Sequence, residues 1–480
     1  MKRQSGVLLP ISALPGDYSI GAFGASARAF VDFLERGGFS AWQVLPFCLP
    51  DECHSPYKSY SAFSGNPYFI DLEDLYARGL LTREELDGAR QTSPFACEYE
   101  RLSRERLPLL RKASERMTDR SAIDAYLSSH PDAARFCEFM GRREANDGRP
   151  WYEWTSDACD RETEAVWQFV QYIFSEQWLA LRAYANAHGV RILGDIPMYV
   201  AHDSADVWAN PKEFQLDADG YPLAVAGVPP DYFSEDGQLW GNPLYDWRYM
   251  KATDFGWWRR RMAAMTEWFD GVRIDHFRAF EAYYSIPHDA VNAKGGVWKR
   301  GPGMPLIRAL REVAGDTLLI AEDLGDITPE VRALLKKSGL PGMRVLQFAF
   351  LSDGASIHQP HMYENNCIAY TGTHDNNTLL GYMFEQSPEE RARLLAYIGR
   401  EGEDFNRPCV YRAVLRTLLA SAAGLCIVPI QDLLMHGADT RINTPGRAEG
   451  NWSYRVTSDQ LASLSTDELR AMNRMYGRCM

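Results

Sequence analysis

Eight short apolar runs recur along the chain. They are residues 6–12 (GVLLPIS), 41–47 (AWQVLPF), 191–200 (RILGDIPMYV) and 271–277 (GVRIDHF), then 317–324 (TLLIAEDL), 343–350 (MRVLQFAF), 366–373 (NCIAYTGT) and 424–433 (GLCIVPIQDL). Most are continuous rather than alternating, as expected of strands covered on both faces. Between them the apolar positions take a helical spacing. Residues 25–37 place Ala29, Phe30, Phe33 and Leu34 on one face and stop at Gly37-Gly38. Residues 168–188, 255–269, 328–338 (with Pro329 in the first turn) and 407–420 continue the strand–helix alternation. This order predicts an α/β fold, a (β/α)8 TIM barrel spanning 1–480 as one catalytic domain. Right-handed crossovers then nearly fix the layout.

Two connections are too long for plain barrel loops. Residues 72–165, after the second strand, are charged and helix-prone and read as a helical insertion. Residues 201–254, after the third, are rich in Gly, Pro and aromatic rings and read as a loop shaping the cleft.

Composition narrows the partners. The 480 residues are 46% hydrophobic and 24% charged, an ordinary globular balance. A net charge of −13 disfavours nucleic acid or an anionic membrane and suits a neutral substrate. Nine scattered cysteines lack zinc-site spacing and read as reduced thiols. The basic start MKRQSGVLLPIS has only a short apolar stretch, soon broken by Pro10 and Pro15, and no run approaches a membrane span. A soluble cytoplasmic protein is expected.

Three carboxylates end three of the apolar runs: Asp275, Glu322 and Asp375. A charge there is costly for packing alone, and barrels gather catalytic groups at the C-terminal ends of their strands. Arg273 lies two residues before Asp275, on the same strand face, where a guanidinium keeps a nucleophilic carboxylate ionised. An ion pair inside the barrel core is the alternative. Glu322 follows an apolar run that would raise its pKa and suit it to general acid and base work. Its alternative is a helix cap, a role that Asp326 before Thr328-Pro329 fits better. Asp375 follows His374, a donor for it or for a bound hydroxyl; an Asx turn by Asp375 or Asn376 is the alternative. A nucleophilic aspartate with an acid/base glutamate is the pair of retaining glycoside chemistry. Ser55-Pro56-Tyr57, Trp240 and Asn451-Trp452 offer rings and neutral hydrogen-bonding groups for sugars, although such rings also serve as packing.

These motifs resemble a known family. GVLLPISALPG, SPYKSYSAFSGNPYFIDL, GDIPMYVAHDSADVW, PPDYFSEDGQLWGNPLYDW, VRIDHFRAF, AEDLGDIT and TGTHDNNT look like the amylomaltases, the 4-alpha-glucanotransferases of glycoside hydrolase family 77. The resemblance runs from about residue 6 to residue 455. It implies Asp275 as nucleophile, Glu322 as general acid/base and Asp375 as transition-state stabiliser. It further implies sugar contacts at Ser55, Tyr57, Asp231, Trp240, Arg273, Asp323, His374 and Asn451, and a mobile loop at 229–237 closing over the glucan. The implied substrates are maltooligosaccharides and other starch- or glycogen-derived α-1,4-glucans, with glucose as an acceptor. No cofactor or metal is implied, and no separate C-terminal β domain is expected. An amylase-type hydrolase using the same acids on water is the rival activity, and a glucan-binding protein without catalysis is a rival of another class. Two positions depart from the family pattern: Ala279 stands where Gly is usual, and Asn377 where Asp is usual.

Overall fold

The structure, a computed structural model, describes residues 1–230, 235–351 and 354–479. All eight expected strands are present: Gln4–Leu8, Ala41–Gln43, Arg191–Ile196, Gly271–Ile274, Leu318–Ala321, Gly342–Val345, Cys367–Tyr370 and Leu425–Pro429. They form one parallel sheet running sixth, seventh, eighth, first, second, third, fourth, fifth. The two ends of that order meet. Ala321 N–H donates to Pro341 O at 2.9 Å, and the Asp323 carboxylate accepts from Met343 N–H at 2.5 Å. The sheet is therefore curled into a barrel, with helices around it.

Several strands stop earlier than their apolar runs. The third ends at Ile196 because Pro197 cannot donate to the ladder, and the sixth gives way to a 3-10 turn at Leu346–Phe348. The apolar residues that follow continue toward the barrel mouth as loop. Close packing shows at Gly194: a Cβ there would lie 2.2 Å from the Phe269 ring.

Residues 72–145 form five helices, from Leu72–Ala77 to Pro131–Ala145. The long helix Arg161–Ala187, N-capped by Asp160, carries Phe174 and Trp178 into the barrel flank. There Phe47 is the hub, with ring centroids 4.5 Å from Trp178 and 5.0 Å from Phe269.

Residues 201–254 are not a plain loop. They contain the helices Ala205–Ala209 and Trp247–Ala252 and the strands Ala224–Val228 and Gln238–Pro243. These strands join Ala282–Pro287 and Val297–Arg300, both after the fourth barrel strand, in a four-stranded antiparallel sheet. The segments are short, two contain Gly, and Val297–Arg300 is exposed throughout. Their small core of Val225, Tyr284, Ile286 and Ala293 forms only when distant segments meet.

Beyond the eighth strand the described residues form helices, including Thr466–Met475. Asn473 on it bonds Ser5 and Gly37 at 2.8 and 3.0 Å, tying the chain's end to its start. Among the described residues no helix is long and apolar enough to cross a membrane.

Candidate active site

The fourth and fifth strands pair Ile274 with Ala321, so the next residues, Asp275 and Glu322, emerge side by side at the same end of the barrel. Asp275 N–H donates to Ile196 O and Glu322 N–H to Ile274 O, each at 3.1 Å, extending the ladder one step. The Arg273 side chain, 5% exposed, reaches Asp275 Oδ1 at 2.9 Å and Asp195 Oδ2 at 2.6 Å. Burial works against its charge, but the carboxylates of Asp195 and Asp275 outweigh this and hold it well above its ordinary pKa. Both sequence readings of Arg273 thus apply: it makes a core ion pair, with Asp195, and it flanks Asp275.

Glu322 is sunk in the wall behind the cleft. Its Oε1 accepts from Leu324 N–H at 2.7 Å and its Oε2 from His276 N–H at 2.8 Å. Burial raises its carboxyl pKa to about 8; Arg273 opposes the shift and Asp275 adds to it. Glu322 caps no helix. Thr328 caps Pro329–Ser338, and Asp326 instead pairs with Arg278 at 3.6 Å.

Asp375 follows the seventh strand and is 42% exposed. Asn376 Oδ1 accepts from Thr373 N–H at 2.8 Å, three residues back and so not an Asx turn, and the Asp375 carboxylate is directed at other partners. Asn443 Nδ2 donates to its Oδ1 at 2.6 Å, and His374 Nε2 lies 3.3 Å from its Oδ2. Arg441 donates to Asp375 O at 2.5 Å and to Asn443 O at 2.7 Å, clamping both. A polar chain links the two sides of the site: Tyr57 O–H donates to Asp195 Oδ2 at 2.7 Å, and His374 Nε2 lies 3.0 Å from the same hydroxyl.

These groups face a cleft of about 380 Å³, lined by Ser55, Tyr57, Trp240, Asp275, His374, Asp375 and Asn451 among others. Arg273 and Glu322 stand behind that lining. Asn451 spends its amide on the cleft wall, bonding Thr444 N–H at 2.8 Å and Arg447 O at 2.8 Å. Asp323 is not brought to the cleft. It faces the sixth strand, where Met343 N–H and Arg344 (3.2 Å) occupy its carboxylate at the barrel seam. Asp231 and residues 232–234 of the expected closing loop lie outside the described residues.

Four site residues escaped the sequence reading. Asp195 carries the same signal as the three acids, a carboxylate inside an apolar run. His276, at φ 48°, lines the cleft edge-on to Trp240 at 5.0 Å; burial lowers its pKa to about 4, and its Nε2 has no protein partner among the described residues. Arg441 and Asn443 sit in a loop with no periodic pattern to announce them. Of the two departures, Asn377 turns away from the cleft and donates to Glu385 Oε1 at 2.7 Å. Ala279 lies in the 3-10 turn Phe277–Phe280 and is not among the positive-φ residues, so its Cβ is compatible with that backbone. Among the described residues no cluster of three or more His, Cys, Asp or Glu is placed to hold a metal.

Comparison with known proteins gives a consistent result. A family model described as 4-alpha-glucanotransferase, glycoside hydrolase family 77, matches residues 9–461. The chain is 42% identical to a 4-alpha-glucanotransferase of Streptococcus pneumoniae, covering 99% of this chain and 98% of that protein. It is 41% identical to one from Thermus thermophilus, covering 98% of each. An amylomaltase from Streptococcus agalactiae, solved in complex with acarbose, superposes with a TM-score of 0.95 at 38% identity, covering 100% of both chains. With the barrel, the cleft and its acids in place, these matches establish that the chain belongs to the 4-alpha-glucanotransferases of glycoside hydrolase family 77, the amylomaltases.

Proposed function

We propose that the chain transfers a segment of an α-1,4-glucan to glucose or to another α-1,4-glucan by a retaining double displacement. Glu322 protonates the leaving glycosidic oxygen while an Asp275 oxygen attacks the anomeric carbon, giving a covalent glucosyl-enzyme. The acceptor hydroxyl then loses its proton to Glu322 as it displaces Asp275. Retaining chemistry places such carboxyls about 5–5.5 Å apart, and neighbouring strand ends suit that span. Asp375, assisted by His374, grips sugar hydroxyls; Tyr57 and Trp240 supply ring faces.

The observation that carries this reading is the contrast within one pair. Glu322 is half-buried among apolar strand residues with its carboxyl pKa raised to about 8, as an acid requires, while Asp275 has the Arg273 guanidinium at 2.9 Å, as a nucleophile requires. A ring-lined cleft favours an acceptor sugar over water. The acidic surface suits an uncharged glucan rather than nucleic acid, and cysteines scattered without zinc-site spacing accord with a cytoplasmic location. No cofactor takes part in the scheme.

Incubation with maltotriose tests it. A transferase yields glucose and longer oligomers while the total of reducing ends stays constant. A rising total would instead assign hydrolysis, and binding without redistribution would assign a non-catalytic glucan binder.

A further inference from the structure

An aromatic group on the surface beside the cleft has no part in the chemistry above. Tyr152, from the 3-10 turn Trp151–Glu153, lies parallel to the His202 ring, with centroids 4.0 Å apart and planes 4° apart. Tyr221 meets Tyr152 at 5.1 Å, and Trp151 stands edge-on to His202 at 5.7 Å. The group is anchored from beneath. Trp151 Nε1 donates to His202 O at 2.7 Å, its backbone N–H to Asp203 Oδ1 at 3.2 Å, and His202 Nε2 bonds Gly220 O at 2.8 Å. Gly220 permits this closeness: its φ is +87°, and a Cβ would lie 2.7 Å from the Trp151 ring.

The outer side is open. Tyr221 is 40% exposed and Leu223 beside it 59%. The hydroxyls of Tyr152 and Tyr221 and Nδ1 of His202 have no protein partner among the described residues. The location is specific too. Tyr199 lines the cleft, and His202 follows it by three residues, a reach of at most about 11 Å. Cleft-lining Asn242 donates to Val200 O at 2.8 Å, tying the connecting segment to the cleft wall.

Ordered rings with free hydroxyls at their edge suit a sugar chain, whose C–H faces stack while its hydroxyls bond. Asp203 is paired with Arg143, Glu153 follows Tyr152 in the chain and Asp217 accepts from Tyr221 N–H at 2.9 Å, acidic neighbours that oppose an anionic ligand. We propose that Tyr152, His202 and Tyr221 form an accessory site for the distal part of a long α-1,4-glucan whose reacting end occupies the cleft. This rests on the glucanotransferase reading and extends it to the handling of long chains.

The test compares Tyr152→Ala, Tyr221→Ala and Tyr221→Phe with the wild-type enzyme on maltotriose and on long-chain amylose. Retardation in native gels containing amylose gives a readout independent of turnover. The alanine variants should keep kcat/KM for maltotriose within about twofold, raise KM for amylose roughly five- to tenfold, and lose gel retardation. Tyr221→Phe should keep most of the retardation, since the ring face remains. Unchanged amylose KM and retardation would overturn the site, as would equal loss on both substrates. A change in oligomeric mass without a glucan effect would likewise overturn it, assigning the patch to self-association. If Tyr152→Ala does not fold, Tyr221→Ala decides alone. A wild-type protein that leaves maltotriose untouched refutes the catalytic reading, whereas normal disproportionation with indifferent variants refutes only the accessory site.

Discussion

Asp275 and Glu322 at the fourth and fifth strands, and Asp375 beyond the seventh, occupy similar places in the barrel but are held by different means. The first pair is fixed by sheet register and by partial burial, with Arg273 and two backbone N–H groups satisfying its oxygens. Asp375 is nearly half exposed and depends on a loop: Asn443 holds its side chain and Arg441 its backbone. Packing raises the carboxyl pKa of Glu322, whereas side-chain clamps set the position of the third acid. Changes beneath the pair should therefore show in stability and pH dependence. Changes to the Asp375 clamp should show mainly in turnover.

The largest effect is expected from the pair itself. Asp275→Asn and Glu322→Gln should each lower kcat for maltotriose transfer by on the order of 10⁴-fold while circular dichroism stays native. Full activity in either variant would refute the assignment.

Next is Asp195→Asn, which takes away the buried partner of Arg273. Breaking such a pair from one side costs about 3–5 kcal/mol, so urea unfolding should shift strongly to lower denaturant. A variant as stable as wild type would mean that Arg273 is satisfied elsewhere.

The pH profile separates the two regions further. Glu322 must be protonated to act as acid, so kcat/KM should fall as pH rises through about 8, with this limb absent in Glu322→Gln. Linkage adds a stability signature. A carboxyl pKa raised in the folded state favours folding fully below its unfolded value near 4.5, and that contribution is lost as pH climbs toward 8. The stability difference between Glu322→Gln and wild type should therefore move in the variant's favour across that window. A constant difference would sink the burial argument.

Around Asp375, Arg441→Ala should cut kcat roughly ten- to a hundredfold, as a misplaced group does, with less change in KM and little in stability. Arg441→Lys should recover part of that loss. The smallest effect is expected at Asn377→Asp, which matches the family pattern but sets a carboxylate against Glu385. Losing that hydrogen bond should destabilise by about 1–3 kcal/mol and leave kcat nearly unchanged, as differential scanning calorimetry and initial rates would show.

These regions also differ in how far the chain announces them. The strand-end acids were legible because a carboxylate inside an apolar run such as TLLIAEDL is costly for packing alone and so stands out as a candidate site residue. Asp195 in RILGDIP carried the same mark. Asp323, adjacent to Glu322, carried it as well, and its carboxylate is held at the barrel seam by Met343 N–H and Arg344. The Arg441–Asn443 clamp left no trace, since loop residues follow no period. The four-stranded side sheet was hidden for a related reason, because its strands pair across separate insertions and are short and glycine-broken.

The eight strands, their order and the acids that end them were determined by the sequence alone, because burial on both faces writes itself as continuous apolar runs and a charge interrupting one stands out. Tertiary structure decided which carboxylates share a wall, which of them burial keeps protonated, and which loops hold the third in place. Those outcomes depend on distances between segments far apart in the chain, and a one-dimensional pattern carries no such distances.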